Sequence, residues 1–403
     1  MSSMHLTTMS VSNRADKFQV FGLIALQGHV LGDAEPIARV QVEIAGHSRA
    51  FSADEVVVAG ENGTQRIMIN ILSHLLPNGP ATANVKVEFS DESTACFDGL
   101  SLLIANFGEL ADQVASDMHA HSTPAILPRE IDSAMFPYAD GKARAWFDAI
   151  EPENVPLSFD ASANLEDAHR HLERWGFCIL PDTLPGAMIG QFKVELEAAI
   201  ASGELPYEQG SSQRIHNAHR LAAGRQIWLY PPVLSFLKSH FRDTPCACQT
   251  LTYVHGSEQR PHQDTIHLTP YPAGYMCGVW IALEDVQPGT GELDIYPGSH
   301  KLPRLRAGAL GLAKVDEDYS SYQIFDAAVQ RLLTENGHES HLYRPKAGQI
   351  LVWHENLVHG GSPRQFREKT RLSIVSHYFA QGAAAYFDSR GVAASLEILP
   401  NLG

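Results

Sequence analysis

The chain has 403 residues, more than one domain usually holds, so two domains and a sizeable core are expected. Apolar residues make up 44% and charged residues 19%, a globular composition that excludes extended disorder. The formal charge of −16 argues against a nucleic-acid partner or an anionic membrane surface, since both would repel it.

The opening MSSMHLTTMSVSNRADKF has no basic start followed by an apolar core, and no later run reaches about 18 uncharged apolar residues. Five cysteines give an odd count, and the close pair Cys246 and Cys248 lacks the second pair of a zinc site. They read as free thiols in a reducing compartment, the cytoplasm. From residue 17 to 108 the chain runs in short alternating segments, FQVFGLIAL, ARVQVEIAG, RIMINILSHLL, ANVKVEFSD and LSLLIANF, separated by turn clusters such as LPNGPA. This predicts a small β-sandwich over residues 1–108. No ligand-spaced pair occurs in it, so it reads as an accessory domain for scaffolding or oligomerisation, with carbohydrate binding or docking of a carrier as the functional alternative.

Residues 109–160, with mixed helical patterning and prolines, read as a connector. Next, NLEDAHRHLERW predicts a helix that stops at Gly176 and runs into a short strand, and AMIGQFKVELEAAIAS predicts a second helix ending at Gly203. Beyond 246 come QTLTYVHG, GYMCGVWIALEDV, GELDIYPGS, GQILVWHENLVHGG and RLSIVSHYF, too closely spaced for crossover helices. An antiparallel barrel or jelly roll is expected over 161–385, with a C-terminal tail at 386–403. The fold class is thus mainly β with flanking helices.

The segment RPHQDTIHL sets His262 and Asp264 two apart, which on a strand places both side chains on one face. Alone, that is as consistent with a local His–Asp hydrogen bond as with a metal site. A third ligand is offered by VWHENLVHGG. His354 and His359 are five apart, so on one strand they face opposite sides, and the glycines after His359 favour it as the inward one. Two imidazoles and a carboxylate leave half of an octahedral shell open, which suits Fe(II), with zinc the alternative. Arg371, on the next strand, offers a fork for a carboxylate, and Ser373, two residues on, adds a hydroxyl on the same face.

Taken in order from about 162 to 380, LERWGFCILPD, HQD, the Trp280 strand, GELDIYPGSHK, AGQILVWHENLVHGGS and TRLSIVSHY resemble the phytanoyl-CoA dioxygenase (PhyH) family of Fe(II)- and 2-oxoglutarate-dependent oxygenases. The resemblance implies a double-stranded β-helix, the jelly roll of that family. It implies that His262, Asp264 and His359 hold iron, that Arg371 pairs with the distal carboxylate of 2-oxoglutarate, and that Trp280, Ser362 and Ser373 line the cosubstrate pocket. The family pattern His-Gly-Ser is here His-Gly-Gly-Ser, which sets Ser362 one residue off. His255, His267, His300 and His377 read as surface, turn or core histidines. The implied activity consumes O2 and 2-oxoglutarate, releases succinate and carbon dioxide, and hydroxylates or otherwise oxidises an unactivated C–H of a small-molecule or acyl substrate. Competing readings are an inactive jelly-roll binding or sensor module and a cupin-like isomerase or hydrolase.

Overall fold

The computed structural model describes residues 7–8, 19–30, 35–59, 64–138, 143–315 and 320–397. The reading of the first 18 residues as lacking a leader lies, apart from residues 7–8, outside them. No helix among the described residues is long and apolar enough to cross a membrane.

Two five-stranded sheets form the N-terminal part. One is built on Leu23–Val30 and Gln65–Leu72, the other on Thr94–Ile104, Gly79–Phe89, Ile37–Ile44 and His47–Ser52. Strand Ile37–Ile44 shows why: Val40, Val42 and Ile44 are buried while Gln41 and Glu43 are exposed, the period of two that covers one sheet face. Its hairpin partner His47–Ser52 carries no apolar run and is not readable from periodicity. It is fixed by the intervening Ala45 and Gly46, both at positive φ (48° and 82°), the backbone of a tight two-residue turn.

The expected boundary at 108 does not coincide with a break in the structure. Helix Glu109–Ala120 follows at once, and Ile126–Leu127, expected in the connector, adds an antiparallel strand to Gln65–Leu72. One continuous apolar core runs from Val20 and Leu23 through Val114 and Phe147 to Ala383 and Tyr386. The tail expected from 386 is likewise built in. Ala384–Phe387 pairs with Thr269–Tyr271, Asp388 and Ser389 are fully buried, and Glu397 shares two backbone hydrogen bonds with Ala247.

The two helices precede the barrel as expected. Leu165–Trp175 is capped by the Asn164 side chain, which accepts from the Asp167 amide, and ends at Gly176 in the left-handed region (φ 80°). Gly186–Ser202 ends at Gly203 in the same way (φ 79°). The barrel itself consists of a six-stranded sheet facing a three-stranded one. The larger runs in the order Phe177–Thr183, Gln349–His354, Met276–Ala282, Ser373–Ala380, Pro245–Tyr253, Ile215–His216; the smaller in the order His341–Tyr343, Leu293–Ile295, His359–Gly361.

Residue parity sorts the faces of the larger sheet. Trp280, Leu351, Trp353 and Val375 point toward the smaller sheet and join Leu293, Ile295 and Tyr343 in one cluster. Val279, Ile281, Ile350, Val352 and Ile374 point the other way and pack with Leu172, Phe192 and Phe236 of the helical layer. A jelly roll backed by helices results, with its interior between the two sheets.

Candidate metal centre

His262 and Asp264 do not lie on one strand, as the two-residue spacing suggested. Asp264 opens a single 3₁₀ turn, Asp264–Ile266, and His262 makes an isolated bridge with His359 at the start of the smaller sheet's edge strand. The bridge takes over the role that the strand was expected to play. One ligand atom from each of His262, Asp264 and His359 lies within 4.8 Å of the other two, and all three residues are buried.

The expected register of His354 and His359 also fails, because they lie on different strands of different sheets. Their separation nevertheless holds for another reason. His354 has the parity of Ile350 and Val352, so it points into the helical layer, where its Nε2 is 3.3 Å from Asp148.

Two carbonyls orient the imidazoles. His262 Nδ1 is 2.9 Å from the Arg260 oxygen and His359 Nδ1 is 3.0 Å from the Leu357 oxygen, so each Nδ1 carries the proton and each Nε2 keeps its lone pair. The Asp264 oxygens lie 3.6 Å from His262 Nε2 and 3.9 Å from His359 Nε2. Burial pushes the Asp264 carboxyl up, but His359, His262 and His377 outweigh it and hold the pKa well below the usual carboxylate range. Burial lowers His359 to about 4, against the pull of Asp264. At neutral pH the centre therefore presents a carboxylate and unprotonated imidazole nitrogen, the states a divalent metal requires. The donor set, one oxygen and two nitrogens with no thiolate, fits Fe(II) better than structural zinc.

Arg371 lies just before strand Ser373–Ala380, its amide bonded to the Val254 carbonyl at 2.9 Å. Its side chain is buried, Nη1 donates to Ser373 Oγ at 3.0 Å, and Nε has no hydrogen-bond partner. The guanidinium lies 5.6 Å from the centroid of Trp280 and 5.9 Å from that of Tyr253. Burial lowers its pKa to about 10, only partly offset by Tyr253, Glu284 and Glu292. A buried guanidinium with an unused donor fits an incoming carboxylate. Ser373 accepts from Arg371 and so keeps its own proton to donate. Ser362 differs: its one hydroxyl proton goes to Glu292 Oε2 at 3.1 Å, leaving none for a carboxylate ligand.

Two interior residues that carried no signal on their own also reach the centre. Trp353 Nε1 donates to Asp264 Oδ2 at 2.8 Å, and His377 Nε2 lies 3.5 Å from the same oxygen. Only parity and register bring them there, because Gly278 on the strand between them pairs with both. His255 bonds Tyr207, His267 contacts Ser389, and His300 is held by the Glu173 carbonyl, so none of these joins the triad.

Residues 172–367 match the family model Phytanoyl-CoA dioxygenase (PhyH), a segment that contains the triad and stops before Arg371. A probable phytanoyl-CoA dioxygenase of Caenorhabditis elegans is 26% identical over 137 residues, 32% of this chain, and the chain spans only 39% of that relative's length. The peroxisomal phytanoyl-CoA dioxygenase of Homo sapiens is 21% identical over 275 residues, 60% of this chain and 76% of that protein. Among solved structures, the non-heme alpha ketoglutarate dependent carbocyclase SnoK from nogalamycin biosynthesis aligns at a TM-score of 0.46 and 16% identity, covering 58% of this chain and 91% of that one. Over the segment 172–367, just under half of its length, this chain is similar to the phytanoyl-CoA dioxygenase family.

Proposed function

We propose that this protein is a non-haem Fe(II)- and 2-oxoglutarate-dependent dioxygenase that hydroxylates, or otherwise oxidises, an unactivated C–H of a small-molecule or acyl substrate. The observation that carries the reading is a buried triad of two imidazoles and one carboxylate inside the same barrel as a buried arginine with an unused donor. His262, Asp264 and His359 would hold the metal and leave the rest of its shell to ligands. Arg371 would take the distal carboxylate of 2-oxoglutarate, helped by the Ser373 hydroxyl, with Trp280 as the pocket wall beside the guanidinium. Ser362, expected among these contacts, is assigned instead to holding Glu292.

Iron and 2-oxoglutarate, when bound, supply the oxidising chemistry, with O2 consumed and succinate and carbon dioxide released. The chain's own residues do the rest. The carbonyls of Arg260 and Leu357 keep both Nε2 lone pairs on the metal side, and the apolar cluster around Leu351, Val375 and Leu293 keeps bulk water out of the interior. The N-terminal two-sheet part contributes none of these residues, so we assign it an accessory role, oligomerisation or carrier docking. The cytoplasm is assigned from the five unpaired thiols.

The test is purification with Fe(II) and 2-oxoglutarate followed by a metabolite screen for stimulated succinate formation under O2. Succinate that rises with one substrate class supports the reading. A protein that binds neither iron nor 2-oxoglutarate refutes it.

A further inference from the structure

Asp264 does not present its two oxygens alike. Oδ2 accepts the Trp353 indole N–H at 2.8 Å and lies 3.9 Å from His359 Nε2, while Oδ1 accepts no indole and lies 3.6 Å from His262 Nε2. The indole reaches that point because its partner across the sheet is Gly278, where an added Cβ would lie 2.3 Å from the indole Nε1 and Cε2. Gly278 has ordinary backbone angles, so no conformational demand explains a glycine there. What explains it is the space that the Trp353 ring fills. The same ring lies 4.3 Å, centroid to centroid, from the His359 imidazole. One side chain therefore touches two of the three proposed ligands.

Resting on the metal reading above, we propose that Trp353 is a positioning residue which commits Asp264 to binding through Oδ1 alone, with Gly278 as the vacancy in the sheet that admits it. The indole N–H takes one lone pair of Oδ2 and fixes the rotation of the carboxylate, which disfavours chelation through both oxygens. One more coordination position then stays available for cosubstrate or oxygen. The hydrogen bond also fixes the carboxylate plane before metal arrives, so less freedom is lost on binding.

The experiment uses Co(II), added without oxygen, as a spectroscopic probe of the full-length protein and of Trp353→Phe. An aromatic ring is kept, though a smaller one, and the N–H is removed. The expected result is a Co(II) Kd raised about 10- to 100-fold, with a d–d spectrum shifted toward higher coordination number as the carboxylate becomes bidentate. A purely structural role would lower the melting temperature without changing that spectrum. Trp353→Phe with the wild-type Kd and spectrum overturns the proposal while leaving the metal site intact. Wild-type protein that takes up no Co(II) instead overturns the metal reading beneath it. Should the variant not fold, ¹⁵N spectra of the wild type decide: one of the five tryptophan indole N–H signals must be exchange-protected and strongly shifted by Co(II). Five unprotected or unshifted signals overturn the proposal.

Discussion

His262 and His359 are tied to each other through their backbones: each amide donates to the other's carbonyl, at 3.0 and 3.1 Å. The two imidazoles thus leave a common bridge, with ring centroids 4.5 Å apart. This pair of bonds, rather than any run of regular strand, sets the spacing of the two candidate nitrogen ligands. Substitution of a side chain leaves it in place, so the ligands can be removed one at a time. His262→Ala, Asp264→Ala and His359→Ala are each expected to abolish substrate oxidation. His354→Ala, which disturbs the Asp148 contact in the helical layer, should lower stability yet retain iron. Metal analysis of the four variants by mass spectrometry checks this, and loss of iron from the His354 variant alone would contradict it.

Arg371→Lys keeps the charge and removes the fork. The lysine can neither bond Ser373 at the same time nor grip a carboxylate at two points. A charge-assisted hydrogen bond of about 1.5–3 kcal/mol is at stake, so the 2-oxoglutarate KM should rise roughly 10- to 100-fold with little change in iron content. Steady-state kinetics at varied 2-oxoglutarate reads the KM, and isothermal titration on the metal-loaded protein should show a parallel rise in Kd.

Arg304 binds two buried acids, Asp148 at 2.5 Å and Glu355 at 2.8 Å, and joins the connector to the barrel strand that ends at His354. Arg304→Met leaves both carboxylates without their cation. Breaking a buried pair in this way is expected to destabilise the fold by about 3–5 kcal/mol. Replacing all three together by apolar residues should recover much of that loss. Urea unfolding of the single and triple variants separates the two results.

His74 joins the N-terminal sheets to the barrel, its Nε2 donating to the Gly382 carbonyl at 2.8 Å. Burial lowers its pKa to about 4, while the Gly382 bond opposes the shift. Between pH 6.5 and 4 the unfolded chain binds this proton and the folded chain does not, so stability falls as pH falls through that window. From pH 7 to 5 this group contributes a loss of about 2 kcal/mol at most. His74→Gln keeps a donor for Gly382 and removes the titration. The variant should lose less stability over that interval, as measured by denaturant unfolding at each pH.

An accessory domain can be removed without harm only where no large apolar face lies beneath it. The continuous core from Val20 and Leu23 to Ala383 and Tyr386 is such a face. A chain beginning at residue 109 is therefore expected to aggregate or bind hydrophobic dyes, although every proposed ligand lies beyond the cut. A soluble truncated chain that melts cooperatively and binds 2-oxoglutarate would show that the shared core is dispensable.

The triad, Arg371 and Ser373 could be read from the chain because each is a reactive residue type at a short, meaningful distance from another or from a strand end. The alternating segments before 108 were equally legible, since a half-buried strand writes its period of two into the residue order. His47–Ser52 was not, because a polar edge strand is defined by its neighbour and its turn.

Side-chain chemistry in the sequence therefore pointed to the candidate ligands, but the reasons they meet belong to the tertiary structure. The His262–His359 bridge, the placing of Trp353 and His377 on either side of Gly278, and the capture of the Ser362 proton by Glu292 all join residues from separate strands. The same holds for the core that the N-terminal sheets share with the barrel. Register between distant strands depends on how whole sheets pack, and local periodicity reports only which face of a strand is buried.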